Sequence, residues 1–255
     1  MILENLSGEI IIPMALIFTR IGAAFHMFPA IGSHYILQNA RLVIALLTSI
    51  ILFPILKDFI PKGPMSSGEF VFLICMEFLY GTLISLAARI CFSALDVLGN
   101  IVSMQSGLAA GSFFDPKRGE QVSLISNILI LVGYMMIFTT DTHYLLFESI
   151  VDSYSKFEVG SFINTGDLAN FVANTVNQSF ILGFKLAAPF ITVSIGFLIS
   201  NGVLSRLMPN LQVFFVVTPV QIFVMFIILF ITINYIMAKF IDAIRAAIHM
   251  QGIGG

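Results

Sequence analysis

The chain has 255 residues, 58% of them hydrophobic and only 10% charged, with a mean hydropathy of +1.00 and a formal net charge of −2. About a quarter of a soluble domain is charged, because charge covers a water-facing surface. So few charges exclude an ordinary soluble domain and place the chain in or against a bilayer, and the balance excludes a general attraction to nucleic acid.

Taken in order, the chain opens MILENLSGEI, with Glu4 and Glu9 where a cleavable leader would be basic. The first apolar stretch is therefore expected to stay in the mature protein. About six apolar stretches approach the length needed to cross ~30 Å of hydrocarbon. They are 10–28, 42–56, 70–88, 124–140, 180–200 and 211–238. Pro13, Pro54, Pro189 and Pro219 fall inside or beside them, which is tolerated where neighbours or waters meet the freed carbonyls. Cys75 and Cys91 sit among apolar residues with no paired spacing, and read as small buried hydrophobes.

The third stretch continues into a helical stripe. Between Phe70 and Ser106 there is no proline, and Glu77, Gly81, Ser85, Arg89, Ser93, Asp96, Asn100, Ser103 and Gly107 follow one another at steps of three or four. That period puts them on one helix face. A continuous helix over 70–106 is ~55 Å long, more than a bilayer core. The face either packs against other helices or borders an aqueous path. Glu77 and Arg89 are costly in an apolar helix unless paired or hydrated; Arg20 and Lys185, the other charges embedded in apolar stretches, are candidate partners.

The stripe runs into SGLAAGSFFDPKRG. Gly107 and Gly111 permit a sharp change of direction. Asp115 and Pro116 suit either the start of a helix or a plain turn, since Lys117 and Arg118 oppose the dipole at a helix start. Irregular backbone at membrane depth must be buried in protein or line a cavity, which would make Phe113 and Phe114 an apolar stopper. Alternatively this is a cytoplasmic loop whose phenylalanines dip into the lipid interface.

Further on, 141–177 carries five carboxylates against Lys156, a net of −4, and reads as a polar loop on the outer side. Arg89, Lys117, Arg118 and Arg206 suit the cytoplasmic side. Six crossings would put both termini outside, which fits the acidic N-terminus but not Lys239 and Arg245. Small pairs four residues apart, Gly81/Ser85, Gly107/Gly111, Gly183/Ala187 and Gly196/Ser200, let helices approach closely in lipid. His26, His34, His143 and His249 lack a second ligand at i+4, so no metalloprotease motif is present and no enzyme or cofactor is expected. An ion or solute transporter using Glu77, Arg89 and Lys185 as a relay is the non-export alternative.

In order and spacing, the chain resembles the R-subunit family of the flagellar type III export gate and its virulence-secretion counterparts. The residues that carry this are Arg20 with Pro29, Gly32 and Arg41; Glu77 and Gly81; Met104, Gly107 and Asp115-Pro116; His143; Ala188-Pro189; LSRLMPNLQVF from Leu204 to Phe214; and Pro219. The resemblance implies an all-α protein of membrane-type helical hairpins, in which a P-like portion, 1–177, is fused to a Q-like hairpin, 178–255. It implies a closed helical hetero-oligomer with P and Q subunits (FliP, FliQ), with much apolar surface facing sister subunits. It maps a plug loop onto 107–120, with Phe113 and Phe114 facing a conduit for unfolded exported proteins. It puts Arg206 and Pro209 near the switch subunit FlhB, in the bacterial inner membrane at the base of the flagellar basal body.

Overall fold

The structure is a computed structural model that describes residues 10–33, 35–61, 66–108, 123–161, 165–208 and 213–250. Every regular element among the described residues is helical. The elements are α1 Ile12–Met27, α2 Gln38–Leu56 with a 3-10 turn at Lys57–Phe59, α3 Ser67–Ser106, α4 Leu124–Thr139, α5 Thr142–Lys156, α6 Thr165–Leu207 and α7 Val213–Met250.

The 40-residue α3 is the helix expected from the unbroken polar period. Two expectations change. Four elements, Gln38–Phe59, Ser67–Ser106, Thr165–Leu207 and Val216–Ile248, are long and apolar enough to span a membrane, and α4 with α5, bent by 75°, makes a fifth only where the pair is counted as one span rather than a re-entrant loop. The expected first crossing yields only the 16-residue α1, ~24 Å long and short of a ~30 Å core. The acidic stretch 141–177, expected as a loop, instead contains α5 and the first turns of α6. Thr142, Leu146, Ile150, Ser153 and Tyr154 form its buried face, while Glu148 and Asp152 stay exposed. The helix is amphipathic, and its charges cover only the outer side.

The chain divides into two compact units, neither continuous in sequence. The first comprises Met1–Ile90, Phe138–Thr175 and Ile244–Gly255; the second comprises Cys91–Ile137 and Val176–Ala243.

In the first unit, α1 and α2 form a hairpin. Arg41 Nε donates to the Ile31 carbonyl at 3.0 Å and Nη2 to the Ser33 carbonyl at 3.1 Å, so one guanidinium ties down the turn. Gly32 sits where a side chain would collide with the His26 and Phe28 carbonyls. Phe25, Phe28 and Phe147 pack in a cluster at centroid distances of 5.5–6.1 Å.

In the second unit, Phe92 contacts Tyr134 at 4.9 Å and Phe240 at 4.8 Å, and Gly133 leaves the room these rings need. Gly183 lets α6 approach α3 closely at Ala94 and Val97.

Candidate functional site

Two polar clusters stand out in an otherwise apolar chain. The first, in the first unit, centres on Arg20. Its side chain and that of Glu77 are fully buried. Arg20 Nε donates to Glu77 Oε2 at 2.5 Å and Nη2 to Oε1 at 2.8 Å, a bidentate pair. Nη1 donates to Ser153 Oγ at 3.1 Å, and Nη2 also to the Phe157 carbonyl at 3.3 Å. The guanidinium carbon lies 3.8 Å from the centroid of the Tyr154 ring and 4.9 Å from that of Tyr80. The Tyr80 hydroxyl in turn donates to the Ser161 carbonyl at 2.6 Å.

Burying an ion pair is costly unless geometry and further hydrogen bonds offset desolvation. Here carboxylate, hydroxyl, carbonyl and two ring faces meet the arginine. Gly81, one turn after Glu77, makes this possible: a side chain there would strike the Arg20 carbonyl and the Ala23 methyl. Arg20, Glu77 and Gly81 are legible in the sequence; Ser153, Tyr154 and Phe157 are not, because the carboxylates of 141–177 point to a loop where the structure has α5.

The second cluster, in the second unit, holds both ends of the segment 109–122. At its N-terminal end, Gln105 Oε1 accepts from Ser194 Oγ of α6 at 2.5 Å, and the Gln105 carbonyl accepts from Gln221 Nε2 of α7 at 2.5 Å. Gly107 then leaves the helix with φ +81, a left-handed conformation that favours glycine. At the C-terminal end, Ser123 caps α4, its hydroxyl accepting from the Ser126 amide at 3.3 Å and donating to the Gly99 carbonyl at 3.2 Å. Ser126 Oγ donates to Asp96 Oδ1, which also accepts from Asn100 Nδ2 at 3.1 Å. Gly99 admits the Ser126 backbone where any side chain would collide. Gln105 and Gln221 went unnoticed in the sequence, although amides inside apolar helices are a usable signal.

The remaining candidates fall as follows. Gly111, Phe113, Phe114, Asp115, Pro116 and Pro209 lie outside the described residues. Along the polar stripe, Glu77, Gly81 and Ser85 are buried within the first unit, Arg89 and Ser93 are exposed, and Asp96 and Asn100 are partly buried within the second. Arg89 does not join the Glu77 pair; its Nη1 lies 3.5 Å from Met27 Sδ. Lys185, expected as a buried charge, is exposed on this chain, as is Arg206.

These features define a polytopic all-α membrane protein with one buried ion-pair node and, before and after the segment 109–122, a set of inter-helical hydrogen bonds that serves as a collar to the described chain. The profile of the bacterial export proteins, family 1, matches residues 11–247. The chain is 33% identical over 208 residues to the flagellar biosynthetic protein FliR of Caulobacter vibrioides, covering 82% of this chain and 83% of that one. It is 26% identical over 248 residues to FliR of Bacillus subtilis, covering 93% and 95%, and 30% identical over 237 residues to FliR of Aquifex aeolicus, covering 90% and 88%. The chain belongs to the bacterial export proteins, family 1, the family of flagellar FliR.

Proposed function

We propose that the chain is the non-enzymatic R subunit of a flagellar type III protein export gate. The observation that carries this is similarity to FliR proteins along most of both chains. The relatives compared are flagellar, which favours that use over the virulence counterpart. In this reading 1–177 is P-like and 178–255 Q-like, and the chain works beside FliP, FliQ and FlhB in the bacterial inner membrane at the base of the flagellar basal body. The C-terminal end of α6, which bears Arg206, faces FlhB together with Pro209. Arg89 and Ser93, exposed on the polar stripe, border the conduit or neighbouring subunits.

Segment 107–120 acts as the plug, with Phe113 and Phe114 closing the conduit between Gly107, Gly111 and Asp115-Pro116. An apolar constriction blocks water and ions by dewetting, and an unfolded substrate opens it by displacing the side chains. Two features support this. Both ends of the segment are held by hydrogen bonds, at Gln105 and at Ser123. Ser123 is bonded to Gly99, two helical turns, ~12 Å, back from Gly107. The 14 residues of 109–122 have a contour of ~45 Å, far more than closing that gap needs. The collar therefore leaves chain to spare for reaching across an opening.

The test is deletion of residues 109–120 in cells co-expressing the P and Q subunits. Native mass spectrometry should show the complex intact and ion-flux measurements should show raised leakage. Unchanged leakage with the complex assembled would remove the plug, and a chain that stays monomeric beside P and Q would remove the subunit assignment.

A further inference from the structure

Among the described residues several helix faces are left uncovered by this chain, including those of α2, α4, α6 and α7, and they differ in composition. The exposed face of α2 is apolar, including Leu47, Ile50, Ile51 and Ile55. So, as far as Ile231, is that of α7, including Val216, Val220, Phe223, Ile227 and Phe230. Lipid can satisfy both.

The outward face of α6 is different. Gln178, Ile181, Lys185, Ala188, Thr192, Ile195, Ile199, Gly202 and Arg206 are all exposed and follow one another at alternating steps of three and four. That 3.5-residue spacing forms a straight seam for one partner helix. Its inward counterpart, Ser179, Gly183, Leu186, Phe190 and Ser194, is buried. The seam carries a cation inside the apolar stretch 180–200. Among the described residues no hydrogen bond or ion pair reaches Lys185. One turn on, Pro189 has no N–H to return to the Lys185 carbonyl, so backbone polarity is exposed at the same level. Gly196 and Ser200 border the seam, and nothing lies within 4 Å of where a side chain on Gly196 or Gly202 would begin. A second backbone can approach closely there.

A lone ammonium at membrane depth is stabilised by an opposite charge from a facing helix. We propose that the outward face of α6 docks a helix of a neighbouring membrane chain that presents a carboxylate to Lys185. This rests on the export-gate reading, in which such chains surround the subunit. The occupant follows from charge complementarity: the seam is apolar, open and bears one cation in its core, so its partner is an apolar helix bearing one acid.

The complex co-expressed with P and Q subunits provides the test, with p-benzoylphenylalanine at Ile195 or Ile199. Photocrosslinks should map to one partner helix containing an Asp or Glu. Lys185→Glu should lower recovery of the complex at least about tenfold, while thermal unfolding of the isolated chain stays unchanged. Replacing the partner's acid by Lys should restore recovery in the Lys185→Glu background. The proposal is overturned by adducts to lipid alone, by a partner helix without an acid, by full recovery of the Lys185→Glu complex, or by no rescue. Lys185 then snorkels to phosphates instead, and the export-gate reading stands. Failure of the unmodified chain to assemble with P and Q overturns that reading itself.

Discussion

Arg20 shows how a few side chains can hold an apolar unit together. Its guanidinium meets Glu77, Ser153 and the Phe157 carbonyl between the faces of Tyr80 and Tyr154. Removing one member of a buried pair leaves the other uncompensated, at a cost of ~3–5 kcal/mol, whereas replacing both by apolar groups is often neutral. Arg20→Met and Glu77→Met are therefore each expected to lower the unfolding temperature of the detergent-solubilised chain sharply. The double variant should recover most of the loss. A double variant as unstable as the singles would mean that the node's value lies in Ser153 and Phe157 rather than in the ion pair. Half of this node is legible in the sequence. Charges at positions 20 and 77 inside apolar stretches demand partners, and Gly81 at four-residue spacing announces a close helix approach. The other half comes from Ser153 and Phe157, and no local pattern ties residue 20 to a segment more than 130 positions away.

Among the elements, α3 is the best read from sequence, because a helical period without proline over 70–106 admits little else. Its use is less legible. One polar stripe serves two purposes: its early residues bury Glu77 and Gly81 against α1, and its later residues seat Asp96 and Gly99 against α4. The same period describes both. α5 was hidden for the opposite reason, since its charges drew the eye from an inner face repeating at 142, 146, 150 and 153. At the end of α3, Gln105 joins α6 and α7 through Ser194 and Gln221. Gln105→Leu removes the side-chain acceptor and leaves Ser194 unpaired in a largely buried position, a penalty of ~1–3 kcal/mol. If this collar sets the plug, cells assembling the Gln105→Leu complex should leak ions above the unmodified level without loss of complex. Gly107→Ala acts through the backbone instead. A methyl group there has room, its nearest neighbour being Thr218 Cγ2 at 3.7 Å. The left-handed conformation at φ +81 nonetheless costs a non-glycine residue ~1–2 kcal/mol, so a smaller rise in leakage is expected.

For the whole molecule, composition made the environment plain and left the uses of its surface open. A mean hydropathy of +1.00 says that this chain avoids water; it does not say which faces meet lipid and which meet protein. That distinction emerges only when exposure is laid over helical position. Between Val216 and Tyr235 of α7 only Met225 is buried, and along α2 only Ala45, Ser49 and Leu56, so the chain leaves most of these spans to something else. From Leu42 to Ile55 and from Val216 to Ile231 their exposed residues are apolar, and lipid and an apolar partner are equally good solvents for them. A polar probe separates the cases by position. Phe230, 82% exposed on α7, faces either hydrocarbon or a sister subunit. Changing Phe230 to Lys places a charge there at a cost of ~2.5–3.5 kcal/mol if the site lies at the centre of a lipid-facing span. In that case membrane insertion of the chain expressed alone should fall, as read by protease protection. If the face is instead reserved for a neighbouring subunit held away from the bilayer, insertion should be unchanged and only recovery of the assembled complex should fall. The two readouts together assign the face, and the first outcome would show that α7 meets lipid before it meets any partner.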